Sequence, residues 1–203
     1  GVFAPGTVIQ LGLPPSSFNI EGDEYYGNVS FLKARVYDAE HITTVSPNYV
    51  QEIQSETLGF GMQGLLTTRN DKLTGIVNGI DTDKWNPETD TYLAKNYSRE
   101  KLSGKIVNKK ALQQYMGLDI DDDIPLLGVI SRLSYQKGTD LLIQIAPELV
   151  KLPAQLVILG SNHIELEQQL ILLAKMYPHA IAVQTGFDEA LSHLIEAGAD
   201  CFL

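Results

Sequence analysis

In the second half of this chain, short apolar runs take turns with longer amphipathic stretches. Pro125-Leu126-Leu127-Gly128-Val129-Ile130-Ser131 is an unbroken apolar run, the mark of a strand covered on both faces. The spacing predicts a helix over 139–151, with Leu141, Leu142, Ile145 and Leu149 sharing one face. Gln155-Leu156-Val157-Ile158-Leu159-Gly160 reads as a second strand stopped by glycine. A second helix is predicted over 165–177, with Leu166, Leu170, Leu173 and Ala174 as its stripe and Pro178 beyond its end. A third strand over 180–185, a third helix over 188–197 and a fourth strand over 201–203 complete the series. Strands alternating with helices at this spacing mean a parallel sheet joined by crossovers, a Rossmann-like α/β arrangement.

The first half is less regular. Ser30 is placed to cap a helix through Glu40 that partly buries Phe31, Leu32, Ala34 and Val36. Ile42-Thr43-Thr44-Val45-Ser46 reads as a strand ended by Pro47, itself suited to the first position of a helix reaching Gln54. A helix near 62–68 and a strand over 73–77 follow. Residues 79–97 are rich in Asp, Thr, Asn, Pro and Tyr with weak periodicity, which predicts a linker or hinge. A helix over 103–116 stopped by Gly117, then an acidic turn at 119–123, lead into the regular half. The expected division is therefore 1–78, a hinge at 79–97, and 98–203.

Composition narrows the function classes. The 203 residues are 44% hydrophobic and 20% charged, which is ordinary globular usage and excludes disordered and collagen-like classes. Lys and Arg number 15 against 25 Asp and Glu, a formal net charge of −10. A surface this acidic repels nucleic acid and anionic lipid, so a phosphate-bearing ligand must meet a local cluster of cations. Cys201 is the single cysteine; it forms no internal disulfide and reads as a buried strand residue, and a reducing compartment is expected. The chain opens Gly1-Val2-Phe3 and closes inside an apolar run that reads as an unfinished strand, so a piece of a longer protein is expected.

The candidate chemistry sits at one strand end. Ser131-Arg132-Leu133-Ser134-Tyr135-Gln136-Lys137-Gly138 leaves a strand and enters a helix, and ligands of open α/β sheets bind outside the carboxyl ends of strands. Arg132 is able to grip phosphate oxygens bidentately, and Lys137 to act as a mobile point charge. The helix N-terminus beside them adds unpaired N–H groups, and Gly138 offers close backbone approach. The competing reading makes both cations solvated loop charges. His41, His163, His179 and His193 share no metal-like spacing and are expected as surface or helix-face residues. Trp85 is expected to anchor packing of the hinge rather than to form a sugar platform. Glu165, Glu167, Glu189 and Glu196 are expected on solvated faces, and no metal site is expected.

Ser131-Arg132-Leu133 with Gln136-Lys137-Gly138 resembles the donor-phosphate motif of bacterial glycogen synthases and plant starch synthases. Thr43-Thr44-Val45-Ser46-Pro47, Gly61-Met62-Gln63-Gly64-Leu65-Leu66, Asn78-Gly79-Ile80-Asp81 with Trp85-Asn86-Pro87, Gly186-Phe187-Asp188-Glu189-Ala190 and Glu196-Ala197-Gly198-Ala199-Asp200 fall in family order, so the similarity covers essentially the whole chain. The resemblance implies a GT-B fold of two Rossmann-like domains, both incomplete here, and retaining transfer of glucose from ADP-glucose to the non-reducing end of an α-1,4-glucan. It implies that Arg132 and Lys137 bind the donor diphosphate and neutralise charge on the departing nucleotide. Gln136 and Gly138 would complete that contact, Asn78 would bind donor or acceptor sugar, and Phe187 would stack on adenine. ADP-glucose and α-1,4-glucan are the implied partners, with no cofactor, nucleic acid or membrane, in bacterial cytoplasm or else plastid stroma. The family's carboxylate acting on the donor sugar would fall beyond Leu203, and its lysine-glycine loop and cleft histidine before Gly1; the segment alone is expected to be inactive. Another GT-B enzyme using a UDP-sugar or resembling sucrose synthase, or a non-catalytic nucleotide- or glucan-binding remnant, are the alternatives.

Overall fold

The computed structural model describes all 203 residues, which divide into two compact units, Gly1–Ile80 and Asp81–Leu203. In the first unit, α1 (Thr7–Gln10) and a two-stranded hairpin, β1 (Glu24–Tyr25) and β2 (Asn28–Val29), precede α2 (Phe31–Asp38). β3 (Ile42–Val45), α3 (Pro47–Glu52), α4 (Gln63–Thr68) and β4 (Leu73–Ile76) follow. β3 and β4 pair in parallel, Ile42 opposite Leu73 and Val45 opposite Ile76. Their core is small: Val36, Val50, Leu66 and Leu73 are buried together, with Ile42, Ile53, Met62 and Leu65 packed against them.

Local chemistry explains the boundaries. Ser30 Oγ accepts the Lys33 N–H at 3.3 Å and starts α2. The helix stops at Asp38, short of the expected Glu40, because Ala39 turns to extended backbone. There the Arg69 guanidinium donates to the carbonyls of Tyr37 and Ala39. Leu32, expected partly buried, is exposed on the outer face of α2.

The second unit is a four-stranded, all-parallel sheet. After α5 (Ser103–Met116) come β5 (Leu126–Arg132), α6 (Thr139–Leu149), β6 (Gln155–Ser161), α7 (Ile164–Met176), β7 (Ile181–Thr185), α8 (Glu189–Gly198) and β8 (Cys201–Phe202). The strand order is β7-β6-β5-β8. α6 and α7 cover one face, where Ala146, Leu166, Leu170 and Leu173 meet Val129, Leu156 and Ile158. α5 and α8 cover the other, where Leu112, Leu191 and Ile195 meet Leu126, Val157 and Leu159. β6 is buried on both faces, whereas β5, the strand expected to be covered on both, leaves Leu127 and Ile130 half-buried. Each fully buried leucine or isoleucine contributes about 1.5–3 kcal/mol. Gly117 ends α5 with a left-handed backbone (φ 72°), as its position predicts.

Three expectations about side chains are corrected in this unit. Leu141 and Ile145 are exposed, because α6 turns Ala146, not that pair, onto the sheet; they border a cleft with Phe202 and Leu203 instead. Cys201 is exposed, because β8 is only two residues long and pairs on one side alone, with β5. His193 is buried rather than at the surface, because the face of α8 that carries it is covered by the residues after Ile80.

Residues 81–97 hold no helix or strand and belong to the second unit. Short polar side chains fold them: Asp81 Oδ1 accepts from the amides of Asp83 and Lys84, Asn86 Oδ1 from Glu88, and Asp90 Oδ1 from Tyr92. The buried Asn108 of α5 clamps the end of the segment, accepting from the Lys95 N–H at 3.1 Å and donating to the Lys95 carbonyl at 2.8 Å.

Candidate active site

The loop after β5 is held from below. Leu133 is fully buried and its N–H donates to the Ser161 carbonyl at 2.7 Å, which fixes the course of the chain just beyond Arg132. Thr139, also buried, accepts the Ser134 N–H on Oγ1 at 3.1 Å, while its own N–H donates to the Ser134 carbonyl at 3.3 Å. Between these anchors Tyr135–Lys137 makes one turn of 3-10 helix, and Gly138 leaves it in the left-handed region at φ 70°. That conformation costs an L-residue about 1–2 kcal/mol and glycine nothing comparable. α6 starts at once with no side chain capping its first turn; the Thr139 N–H is already paired with Ser134, and Asp140 lies in that turn at the positive end of the dipole.

Gly160 brings the ends of β5 and β6 close together. A Cβ there would lie 2.1 Å from the Ser131 carbonyl oxygen, closer than any side chain tolerates. Ser131 stands opposite Gly160 and Arg132 opposite Ser161 in the parallel register. On the next strand, the Gly186 N–H donates to the Gly160 carbonyl at 3.0 Å, so the β7–α8 turn is tied to the same point. Asp188 caps α8, accepting the Leu191 N–H on Oδ1 at 2.9 Å. Phe187 is thereby held between a tied glycine and a helix cap, and the residue is 87% exposed.

Two clefts flank the end of β5. One, of about 270 Å³, is lined by Ser131, Arg132, Gly160, Ser161, Phe187 and Ser192 among others. The second, of about 520 Å³, is lined by Lys137, Gly138, Thr139 and Leu141 as well as by Phe202. Ile130 and Ser131 border both. Arg132 and Phe187 thus share a cleft, and Lys137 and Gly138 share its neighbour. Gln136 is exposed and lines neither. Asn78 is an exposed residue of the first unit, just past β4. Neither Arg132 nor Lys137 pairs with a carboxylate, whereas Lys84, Lys109, Lys110 and Lys151 all do. Arg132 and Lys137 are thus exposed cations near the first turn of α6, which also carries Asp140, in a protein of net charge −10.

Ser161 and Ser192 were not singled out in the sequence. The register of β5 with β6 places Ser161 beside Arg132, and Ser192 follows the Asp188 cap by four residues, one helical turn; neither relation is visible before the sheet order is known. No group of three or more His, Cys, Asp or Glu side chains is arranged to hold a metal ion. No helix is long and apolar enough to cross a membrane.

A family model described as the starch synthase catalytic domain matches residues 1–68. Glycogen synthase of Nitrosospira multiformis is 60% identical across all 203 residues, and that of Dechloromonas aromatica 51% identical over the same span. The chain belongs to the glycogen and starch synthase family. It spans about two-fifths of the length of those relatives, 41% and 42% respectively. In the solved structures, the catalytic domain of starch synthase IV from Arabidopsis thaliana, determined with ADP and acarbose bound, superposes with a TM-score of 0.89 at 31% identity. That match covers 99% of this chain and 42% of the plant protein. The fold of this chain is accordingly GT-B, and its parallel sheet is a Rossmann-like part of it.

Proposed function

We propose that the protein containing this chain transfers glucose from ADP-glucose to the non-reducing end of an α-1,4-glucan with retention of configuration. The observation that carries this reading is the placement of two exposed cations, Arg132 and Lys137, at and just after the end of β5 and beside the start of α6. The likeness to a starch synthase solved with ADP and acarbose supports both substrate classes.

In this reading Arg132 and Lys137 grip the donor diphosphate. Their charges stabilise the negative charge that grows on ADP as the bond to glucose breaks. Amides at the start of α6 add oriented donors, and Gly138 keeps a Cβ away from the phosphate path. The exposed ring of Phe187 offers a stacking face for adenine, Gln136 adds a polar contact at the diphosphate, and Asn78 holds a sugar. The carboxylate acting on the donor sugar lies outside these 203 residues, so the segment by itself transfers no glucose. The bacterial cytoplasm is the proposed compartment, on the strength of the bacterial relatives.

Transfer of labelled glucose onto glycogen by the full-length protein tests this. The expected result is incorporation from ADP-glucose that exceeds incorporation from UDP-glucose at equal concentration. Equal or faster use of UDP-glucose contradicts the donor assignment, and incorporation from neither contradicts the enzyme reading. Incorporation by the 203-residue segment alone contradicts the placement of the carboxylate.

A further inference from the structure

Residues 81–97 are fastened along the length of α8. At its first residue, the Lys84 ammonium pairs with the Glu189 carboxylate, which raises the lysine pKa through a hydrogen bond and the opposite charge. One turn further, His193 Nδ1 lies 2.5 Å from Asp90 Oδ2. The imidazole also stacks on the Trp85 indole, with ring centroids 3.8 Å apart and planes 4° from parallel, and Tyr92 leans on it at 5.0 Å. Near the last turn, Tyr97 and Glu196 border a small cavity of about 50 Å³ together with Trp85, Asp90 and His193.

The middle fastening is buried on both sides. The His193 side chain is 1% exposed and the Asp90 side chain 7%. His193 Nε2 has no protein partner, so the ring's orientation is set by Asp90 at one nitrogen and by the Trp85 face. A buried carboxylate–imidazole contact in a low-dielectric pocket tolerates little change of geometry. It therefore resists rotation of α8 about its own axis.

The same helix bears on the candidate site. Ser192, adjacent to His193, lines the cleft that holds Arg132 and Phe187, and Phe187 directly precedes the Asp188 cap of α8. We infer that Asp90, His193 and Trp85 are positioning residues: they fix the rotation of α8 and so aim Phe187 at the nucleotide base. None of the three lines the Arg132–Phe187 cleft. This inference rests on the reading of that cleft as the nucleotide site.

The test compares ADP with inorganic pyrophosphate by calorimetric titration of the full-length protein and its His193→Leu and Trp85→Leu variants. ADP carries a base and pyrophosphate does not. ADP affinity is expected to fall about tenfold in His193→Leu, the worth of one base–aromatic stack, and by a smaller factor in Trp85→Leu. Pyrophosphate affinity, set by Arg132 and Lys137, is expected to stay within about twofold, a change of no more than about 0.4 kcal/mol. Unchanged ADP affinity in a folded His193→Leu protein, with only a lower melting temperature, overturns the inference and leaves a packing role. So does an equal loss for both ligands. Where a variant does not fold, hydrogen exchange of the wild-type protein decides. ADP then slows amide exchange at 84–92 as well as at 187–191, and slowing confined to 187–191 overturns the inference. Wild-type ADP binding that ignores Arg132→Gln and Lys137→Gln removes the site reading itself, a result distinct from all of these.

Discussion

Burial pushes the Glu196 carboxyl above the ordinary carboxylate range, against an opposing pull from nearby His193. The sequence placed this glutamate on a solvated face, and the residue is indeed exposed, with its carboxyl partly screened from water. Beside it stand His193 of the same helix and Asp90 and Tyr97, which the segment 81–97 brings there. A folded-state pKa raised above the unfolded value means that the native protein holds the proton more tightly. The group then favours folding below its unfolded pKa, and that contribution is lost as the pH rises through the raised folded value. Glu196→Gln is therefore expected to raise the melting temperature at neutral pH, and the gain should shrink to nothing below the carboxylate range. A gain that persists undiminished in acid would show that the effect is not ionisation. Arg132 and Lys137 were legible as candidates because strand-end cations are a local pattern, and Phe187 through the family resemblance. His193 was not, because its environment is made by residues about a hundred positions earlier. Cys201 misled for a related reason: its apolar neighbours signal a strand without saying what lies against it.

α8 is the element through which several of these effects pass. Its cap, Asp188, satisfies the Leu191 N–H, and its first residue pairs with Lys84. At its far end, the Lys105 ammonium donates to the Ala197 carbonyl at 2.9 Å, a cation on the negative end of the helix. Asp188→Ala is expected to cost about 0.5–2 kcal/mol of stability, read from denaturant unfolding. It should also weaken ADP binding, since the cap immediately follows Phe187. Loss of stability with ADP binding intact would detach the start of the helix from the base site. The order of strands and helices after residue 125 could be read directly, because period and length of apolar runs follow from which faces are covered. Their covering could not. Leu141 and Ile145 share a helical face as the spacing requires, yet that face borders a cleft rather than the sheet. Periodicity tells which side chains stand together and leaves open what meets them.

Across the whole molecule, acidic side chains outnumber basic ones 25 to 15, and several lysines are committed to carboxylate partners. Lys109 is the deepest of these, buried and 2.7 Å from Asp200 Oδ2, where it ties α5 to the turn before β8. Each unit has its own apolar core. Membership in the synthase family was legible from motifs spread over both units. Arg132 and Lys137 stand out from the other cations by their place, at and just after the end of β5 and beside the first turn of α6, and the account depends on what they bind. The most direct measurement is calorimetric titration of ADP into the full-length protein and into its Arg132→Gln, Lys137→Gln double variant. Hydrogen bonds to charged groups are worth about 1.5–3 kcal/mol each, so the account predicts binding at least about a hundredfold weaker in the double variant. An isotherm that does not change would contradict it.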